Sequence, residues 1–269
     1  MRIPRLALMA GALAGVLFAG TAHAATSAAP SYKPVLTKNP LYKTGKLGIS
    51  ACEEPQVQNG TVEEAELYFE AVMECLDKAW SPVVKKAGYR FNKAKVTVIT
   101  KLGAKTPCGA FNDPRAQAMY CPPNKRMYIL LSPQVIAEPN DLALMQVLAH
   151  EYGHHVQQLT GIMGLAYKSY YQRPVNEHAF ESIRRAELQA ECLSGAFVGR
   201  VWNSLGRPDS DWSIFLKGGH NLGSSLGLRS GSDETHGSDA NVRWWLQKGF
   251  KAQSASACNT WTAPSRKVY

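Results

Sequence analysis

The 269-residue chain is 45% apolar and 19% charged, enough apolar material for one sizeable hydrophobic core. Its 22 glycines and 15 prolines fall in no low-complexity tract or solenoid-length repeat, which argues against collagen-like, solenoid and largely disordered chains. Thirty basic against 21 acidic residues give +9, but the charges are dispersed and no basic–aromatic array appears, so nucleic acid is not an expected partner.

Residues 1–24 carry Arg2 and Arg5, an apolar run from Leu6 to Ala19, then Ala22-His23-Ala24. A basic start, a short apolar middle and small-x-small at the end predict a secretory signal peptide cleaved after Ala24. The run is short for a bilayer, no stop-transfer cluster follows, and no cysteine stands at the cut, so no stable membrane anchor is expected after cleavage. The mature chain then carries 28 basic and 21 acidic residues, +7, and is expected in the extracellular or cell-wall space. Ala25 to Leu47 reads as a linker of Ala, Ser, Thr, Pro and Lys, leaving 48–269 as one domain.

Six cysteines, an even number with no C-x-x-C, suggest disulfides in an oxidising compartment. The expected pairs are Cys52–Cys75 near one helix, Cys108–Cys121 across a loop, and Cys192–Cys258 tying the tail to a later helix.

Thr61 with Glu64 forms a capping-box pattern opening a helix from Val62 to Ala79, with further turns past Pro82 up to Gly88. Lys95 to Thr100 alternates and is β-branched, predicting a strand; Met127 to Leu131 predicts another, with Ala118 to Cys121 as its hairpin partner. Asp141 to Leu159 and Glu177 to Trp202, the latter capped by Asn176, predict two long helices. Residues 203–237 read as loop-heavy, and Asp239 to Lys248 as a closing short helix. This order predicts an α+β single domain, a small antiparallel or mixed sheet packed on the active-site helix.

The chemistry is carried by His150-Glu151-Tyr152-Gly153-His154, an H-E-x-x-H pattern inside a helix. Residues four apart share a helical face, so His150 and His154 can present two imidazole nitrogens to one zinc ion, while Glu151 reaches a metal-bound water. The metzincin continuation is excluded, because Gln157 and Thr160 occupy its Gly and His positions. On the next helix Glu187 and Glu191 stand four apart. Their carboxylates would repel unless one binds metal and the other accepts a hydrogen bond; the bland alternative is a solvated pair beside Arg184 and Arg185. In the gluzincin pattern the first acid ligates and the second orients a histidine from outside, which makes Glu187 the ligand and Glu191 its outer partner. Ala186, Ala190 and Gly195 read as a small-residue face permitting close packing. His155 is turned away, as a hydrogen-bonding or surface residue, and His178 is expected to be exposed. His220 and His236 sit in the loop-rich region. His236 is the first candidate to stabilise the anionic tetrahedral intermediate, while Tyr167, Tyr170 and Tyr171 are more often packing.

The stretches A-H-E-Y-G-H-H-V-Q, E-L-Q-A-E-C and T-H-G-S-D-A-N-V-R-W-W-L-Q-K-G-F, in this order, resemble the bacterial "putative neutral zinc metallopeptidase" family. Cys108-Gly109 and Tyr120-Cys121-Pro122, followed by Met127-Tyr128-Ile129, resemble the segment upstream of its zinc helix. The resemblance runs from about Lys95 to Phe250. It implies a zincin-like fold with His150, His154 and Glu187 holding one zinc ion and Glu151 as catalytic base. The family usually has Asp where Glu191 stands, and its Gly-Asp-Asp segment is replaced here by Leu222-Gly223-Ser224-Ser225.

The expected function is therefore a secreted zinc-dependent peptidase acting on protein or peptide substrates. Strand addition of an extended peptide to Met127–Leu131 would favour an endopeptidase. The rival readings are a zinc hydrolase acting on peptidoglycan amides and a non-catalytic metal-binding or cell-wall-associated module. Glu151 separates the last from the others, because a binding module has no need of a carboxylate beside the metal water.

Overall fold

The computed structural model describes residues 32–58, 60–113, 116–137, 142–168, 171, 176–219 and 235–269. The expected signal peptide, residues 25–31, His220, Tyr170 and Leu222-Gly223-Ser224-Ser225 lie outside them.

The chain runs α1 (Pro34–Thr37), α2 (Val62–Lys86), β1 (Lys95–Ile99), β2 (Ala104–Thr106), β3 (Gly109–Phe111), β4 (Ala118–Cys121) and β5 (Arg126–Leu130). It continues through α3 (Pro133–Ala137), α4 (Leu142–Leu159), α5 (Ile162–Ala166), α6 (Glu177–Val201), α7 (Asp209–Ile214) and α8 (Asp239–Ala252). The long helices start where side chains satisfy their first N–H groups. Thr61 accepts from Glu64 N, Asn176 from Ala179 N and Ser238 from Asn241 N. The Thr61 box is not reciprocal, because the Glu64 carboxylate accepts from Gln58 N instead. Helix α2 continues through Pro82 and ends at Gly88, where φ is +85°.

The sheet is mixed. β5 lies in the middle, parallel to β1 and antiparallel to β4, while β2 and β3 form a separate hairpin. This corrects the expectation that Met127–Leu131 receives a peptide by strand addition, since both of its edges are already paired. The main core gathers α2, α4, α6 and α8 around buried Phe69, Trp80, Met145, Tyr152, Phe197 and Trp245. A smaller cluster of Ile99, Phe111, Cys121 and Tyr128 lies at the sheet.

The expected linker is corrected for Tyr32–Leu47. Leu36, Leu41 and Leu47 are buried, Leu47 N donates to Gln253 O, and the Asn39 amide donates to Thr160 O just beyond α4. Three well-spaced leucines suffice to dock a segment that is otherwise polar. Within the loop-heavy region 203–237, α7 and the helical turn Phe215–Gly219 set Trp212 and Phe215 into the core. All three expected disulfides are present, Cys52–Cys75, Cys108–Cys121 and Cys192–Cys258.

Helices α6 and α8 meet backbone to backbone. A Cβ on Gly195 would come within 2.1 Å of Leu246 O, on Gly199 within 2.1 Å of Phe250 O, and on Gly249 within 1.9 Å of Cys192 O. Gly195 therefore does not share a face with Ala190, which faces α4; five residues along a helix turn the side chain well away from its starting direction. For the same reason α8 does not stop at Lys248. Gly249 serves close approach rather than termination, and the stop is Gln253 at φ +54°. Gly249→Ala is expected to cost at least about 2 kcal/mol, lowering the melting temperature by roughly 5 °C or more. Gly164→Ala, which meets nothing within 4 Å, should leave it unchanged or slightly raised. Equal melting curves for wild type and Gly249→Ala would contradict this packing.

Candidate metal centre

The site forms where α4 crosses α6. Gly153 lets the helices approach, since a Cβ there would lie 3.1 Å from Ala190 Cα. From α4, His150 and His154 point across this contact with their Nε2 atoms 3.1 Å apart. From α6, Glu187 Oε2 lies 3.1 Å from His154 Nε2 and 3.3 Å from His150 Nε2. Zinc–nitrogen bonds of about 2.0–2.1 Å in tetrahedral geometry place ligand atoms roughly 3.3 Å from one another, so these three atoms are spaced as three corners of such a site. His150, His154 and Glu187 form a group able to hold a metal ion, and the donor set of two imidazoles and a carboxylate suits zinc.

The electrostatics are those of buried opposite charges that compensate one another. His150, Glu151, His154, Glu187 and Glu191 are all buried. Burial alone would push both imidazoles down, but Glu191 and Glu187 beside His150, and Glu187 beside His154, outweigh it and leave both raised. Burial would also raise Glu187, yet His154, His236 and His150 hold its carboxyl well below the usual range. Three buried carboxylates around two imidazoles are costly unless paired or metallated.

A second layer surrounds the ligands. His150 Nδ1 is 3.2 Å from Glu191 Oε1, close enough for charge attraction though off the line of a hydrogen bond. Glu191 Oε2 accepts from Gln146 Nε2 at 2.6 Å. His154 Nδ1 lies 2.9 Å from Gln157 Oε1. The Tyr167 hydroxyl, which burial and the neighbouring Glu187 hold protonated, donates to Glu187 Oε1, leaving Oε2 toward the imidazoles. His236 Nε2 lies 3.4 Å from that same Oε2, and its Nδ1 is 2.9 Å from Thr235 Oγ1. The Glu151 side chain, buried in α4, shows no hydrogen bond or salt bridge among the described residues.

The structure thus brings together His150, His154, Glu187, Glu191 and His236, with Glu151 buried on the same helix. His155 is fully buried, and burial holds its imidazole below the usual value. Its Nε2 donates to Asn92 O at 2.7 Å and its Nδ1 accepts from Tyr120 OH at 2.9 Å, tying α4 to β4. It is a hydrogen-bonding rather than a surface residue. His178 is exposed and stacks on Tyr32, away from the cluster. The solvated reading of the Glu187/Glu191 pair is corrected, both being buried, as is Arg185, which pairs with Glu181. Sequence reasoning missed Gln146 and Gln157 and weighed Tyr167 as packing or as an oxyanion donor, not as a partner of Glu187. The available signal was spacing, because Gln146 stands four before His150 and Gln157 three after His154.

Residues 38–261 match the family model described as "Putative neutral zinc metallopeptidase". The chain is 25% identical to the uncharacterized protein YpfJ of Escherichia coli (strain K12) over 209 residues, 74% of this chain and 72% of that one. It is 29% identical to the uncharacterized protein Rv2575 of Mycobacterium tuberculosis (strain H37Rv) over 180 residues, 59% of each chain. No solved structure matches. With the family model spanning most of the chain and a histidine–histidine–glutamate cluster inside the matched region, the protein belongs to this zinc metallopeptidase family.

Proposed function

We propose that the protein is an exported zinc-dependent peptidase whose single catalytic ion is held by His150, His154 and Glu187. The observation that carries the reading is the convergence of these three buried ligand atoms at tetrahedral spacing beside the buried Glu151. A zinc ion bound there supplies Lewis acidity and a water that ionises near neutral pH. Beside an ion so held, Glu151 would serve as the carboxylate that takes a proton from the attacking water and passes it to the leaving amine. His236, whose Nε2 lies 3.4 Å from Glu187 Oε2, would be the side chain that stabilises the charge developing on the scissile carbonyl oxygen. Glu191 orients His150 and Tyr167 holds the outer oxygen of Glu187, which fixes the ligands before substrate arrives.

Export is supported by the basic–apolar–small leader and by three disulfides, which suit an oxidising compartment. No helix among the described residues is long and apolar enough to cross a membrane. An endopeptidase reading now rests on β4 rather than β5. β4 has a sheet partner on one side only among the described residues, and its Tyr120 touches the metal helix through His155. Action on peptidoglycan amides would use the same chemistry, and the test substrates should include both classes.

Wild type and Glu151→Gln should each retain one zinc ion, while peptide-library cleavage falls by about 10² to 10⁴-fold in the variant. Cleavage unchanged by this substitution would sink the mechanism, and bound zinc without cleavage of either substrate class would favour a binding module. For the ligand assignment, Glu187→Ala should weaken zinc binding far more than Glu191→Ala, for which a loss of roughly 10 to 100-fold is expected. Chelator competition that orders them the other way would reassign the third ligand to Glu191.

A further inference from the structure

The imidazole of His154 can offer Nε2 to a metal only if the proton sits on Nδ1, and a buried chain of amides bears on that choice. It starts from acceptors that cannot change role. Cys258 O is a backbone carbonyl 2.9 Å from Gln189 Nε2. Tyr42 OH gives its proton to Leu36 O at 2.9 Å, so its oxygen can only accept from Gln189 Nε2, also at 2.9 Å. The nitrogen of Gln189 therefore faces Tyr42 and Cys258, and its Oε1 faces Gln157. Gln157 Nε2 lies 3.1 Å from that oxygen and 2.7 Å from Ala186 O, a second fixed backbone acceptor. This turns Gln157 Oε1 toward His154 Nδ1, 2.9 Å away. An amide oxygen cannot donate, so Nδ1 must carry a hydrogen, which leaves Nε2 as the nitrogen available to a metal. Gln157 and Gln189 are fully buried, and flipping either would oppose like groups and lose their hydrogen bonds at a buried position.

We infer that Gln157 and, behind it, Gln189 are positioning residues that set the tautomer of His154 and present its Nε2 to the metal. The inference rests on the zinc reading of the site. It also gives the docked segment Tyr32–Leu47 and the disulfide-bonded Cys258 a function. Through Tyr42 OH and Cys258 O, two parts of the chain remote in sequence from α4 aim one of its ligands. The two histidines are held differently: His150 faces the carboxylate of Glu191, His154 a neutral amide.

The test is zinc affinity of the full chain by competition with a chromophoric chelator, alongside the melting temperature of each zinc-free protein. Gln157→Met keeps length but removes all three side-chain hydrogen bonds, to His154, Ala186 and Gln189, and should weaken zinc binding about 10 to 100-fold. Gln189→Met leaves Gln157 anchored on Ala186 O and should cost only a few-fold. Gln157→Glu restores an acceptor for Nδ1–H while setting a carboxylate against Ala186 O. It should bind zinc within a few-fold of wild type although its zinc-free form melts lower. That opposition of affinity and stability is what a merely structural role would not produce. Unchanged affinity in Gln157→Met, or a Glu variant as impaired as the Met variant, overturns the inference alone. A wild-type chain that takes up no zinc overturns the zinc reading and this inference with it.

Discussion

The structure turns on placing five ionisable side chains in the contact between α4 and α6, where water is largely excluded. Two imidazoles and three carboxylates at this depth lose most of their hydration, and only mutual pairing, hydrogen bonds or a cation can replace it. The fold supplies all three. The helices come close enough because Gly153 meets Ala190, so ligands from one helix reach those of the other without long, loosely held side chains. Glu187 is shared among His150, His154, His236 and Tyr167, its Oε2 set against the imidazoles and its Oε1 against the Tyr167 hydroxyl.

Holding α6 in place is the second requirement, and the chain meets it from behind. Gly195, Gly199 and Gly249 bring α8 onto α6 at backbone contact, and Cys192–Cys258 pins the same helix to the C-terminal segment. Arg185, fully buried on α6, pairs with Glu181 and donates to Thr260 O and Ala263 O, so its charge is answered. Ser238 N and the Asn241 amide both meet Tyr269 O, fixing the turn that carries His236. The metal face of α6 can be tightly aimed because its other faces have so little freedom.

Features written in local chemistry were legible in the sequence. Caps at Thr61 and Asn176 located helix starts, four-residue spacing located the imidazoles and the two acids, and an even cysteine set without C-x-x-C pointed to the disulfides that formed. What depends on distant partners was not. The parallel pairing of β1 with β5 skips three strands and leaves no local mark. Gly249 looks like a helix stop until Cys192 O is seen against it. Leu36, Leu41 and Leu47 follow no helical or strand period, so a docked segment reads as a linker. The glutamines around the histidines were the least visible. An amide at helical spacing is unremarkable until its acceptors, Ala186 O and Cys258 O, are known to be fixed.

The site's composition also follows from the cysteines. All six are joined in disulfides, so a metal bound by this chain must take nitrogen and oxygen ligands. X-ray absorption at the zinc edge, on protein equilibrated with one equivalent of zinc, reads that ligand set directly. The account predicts retained zinc with two imidazole nitrogens and a carboxylate oxygen at about 2.0–2.1 Å. Sulfur scattering near roughly 2.3 Å, or a protein that retains no zinc, would contradict it.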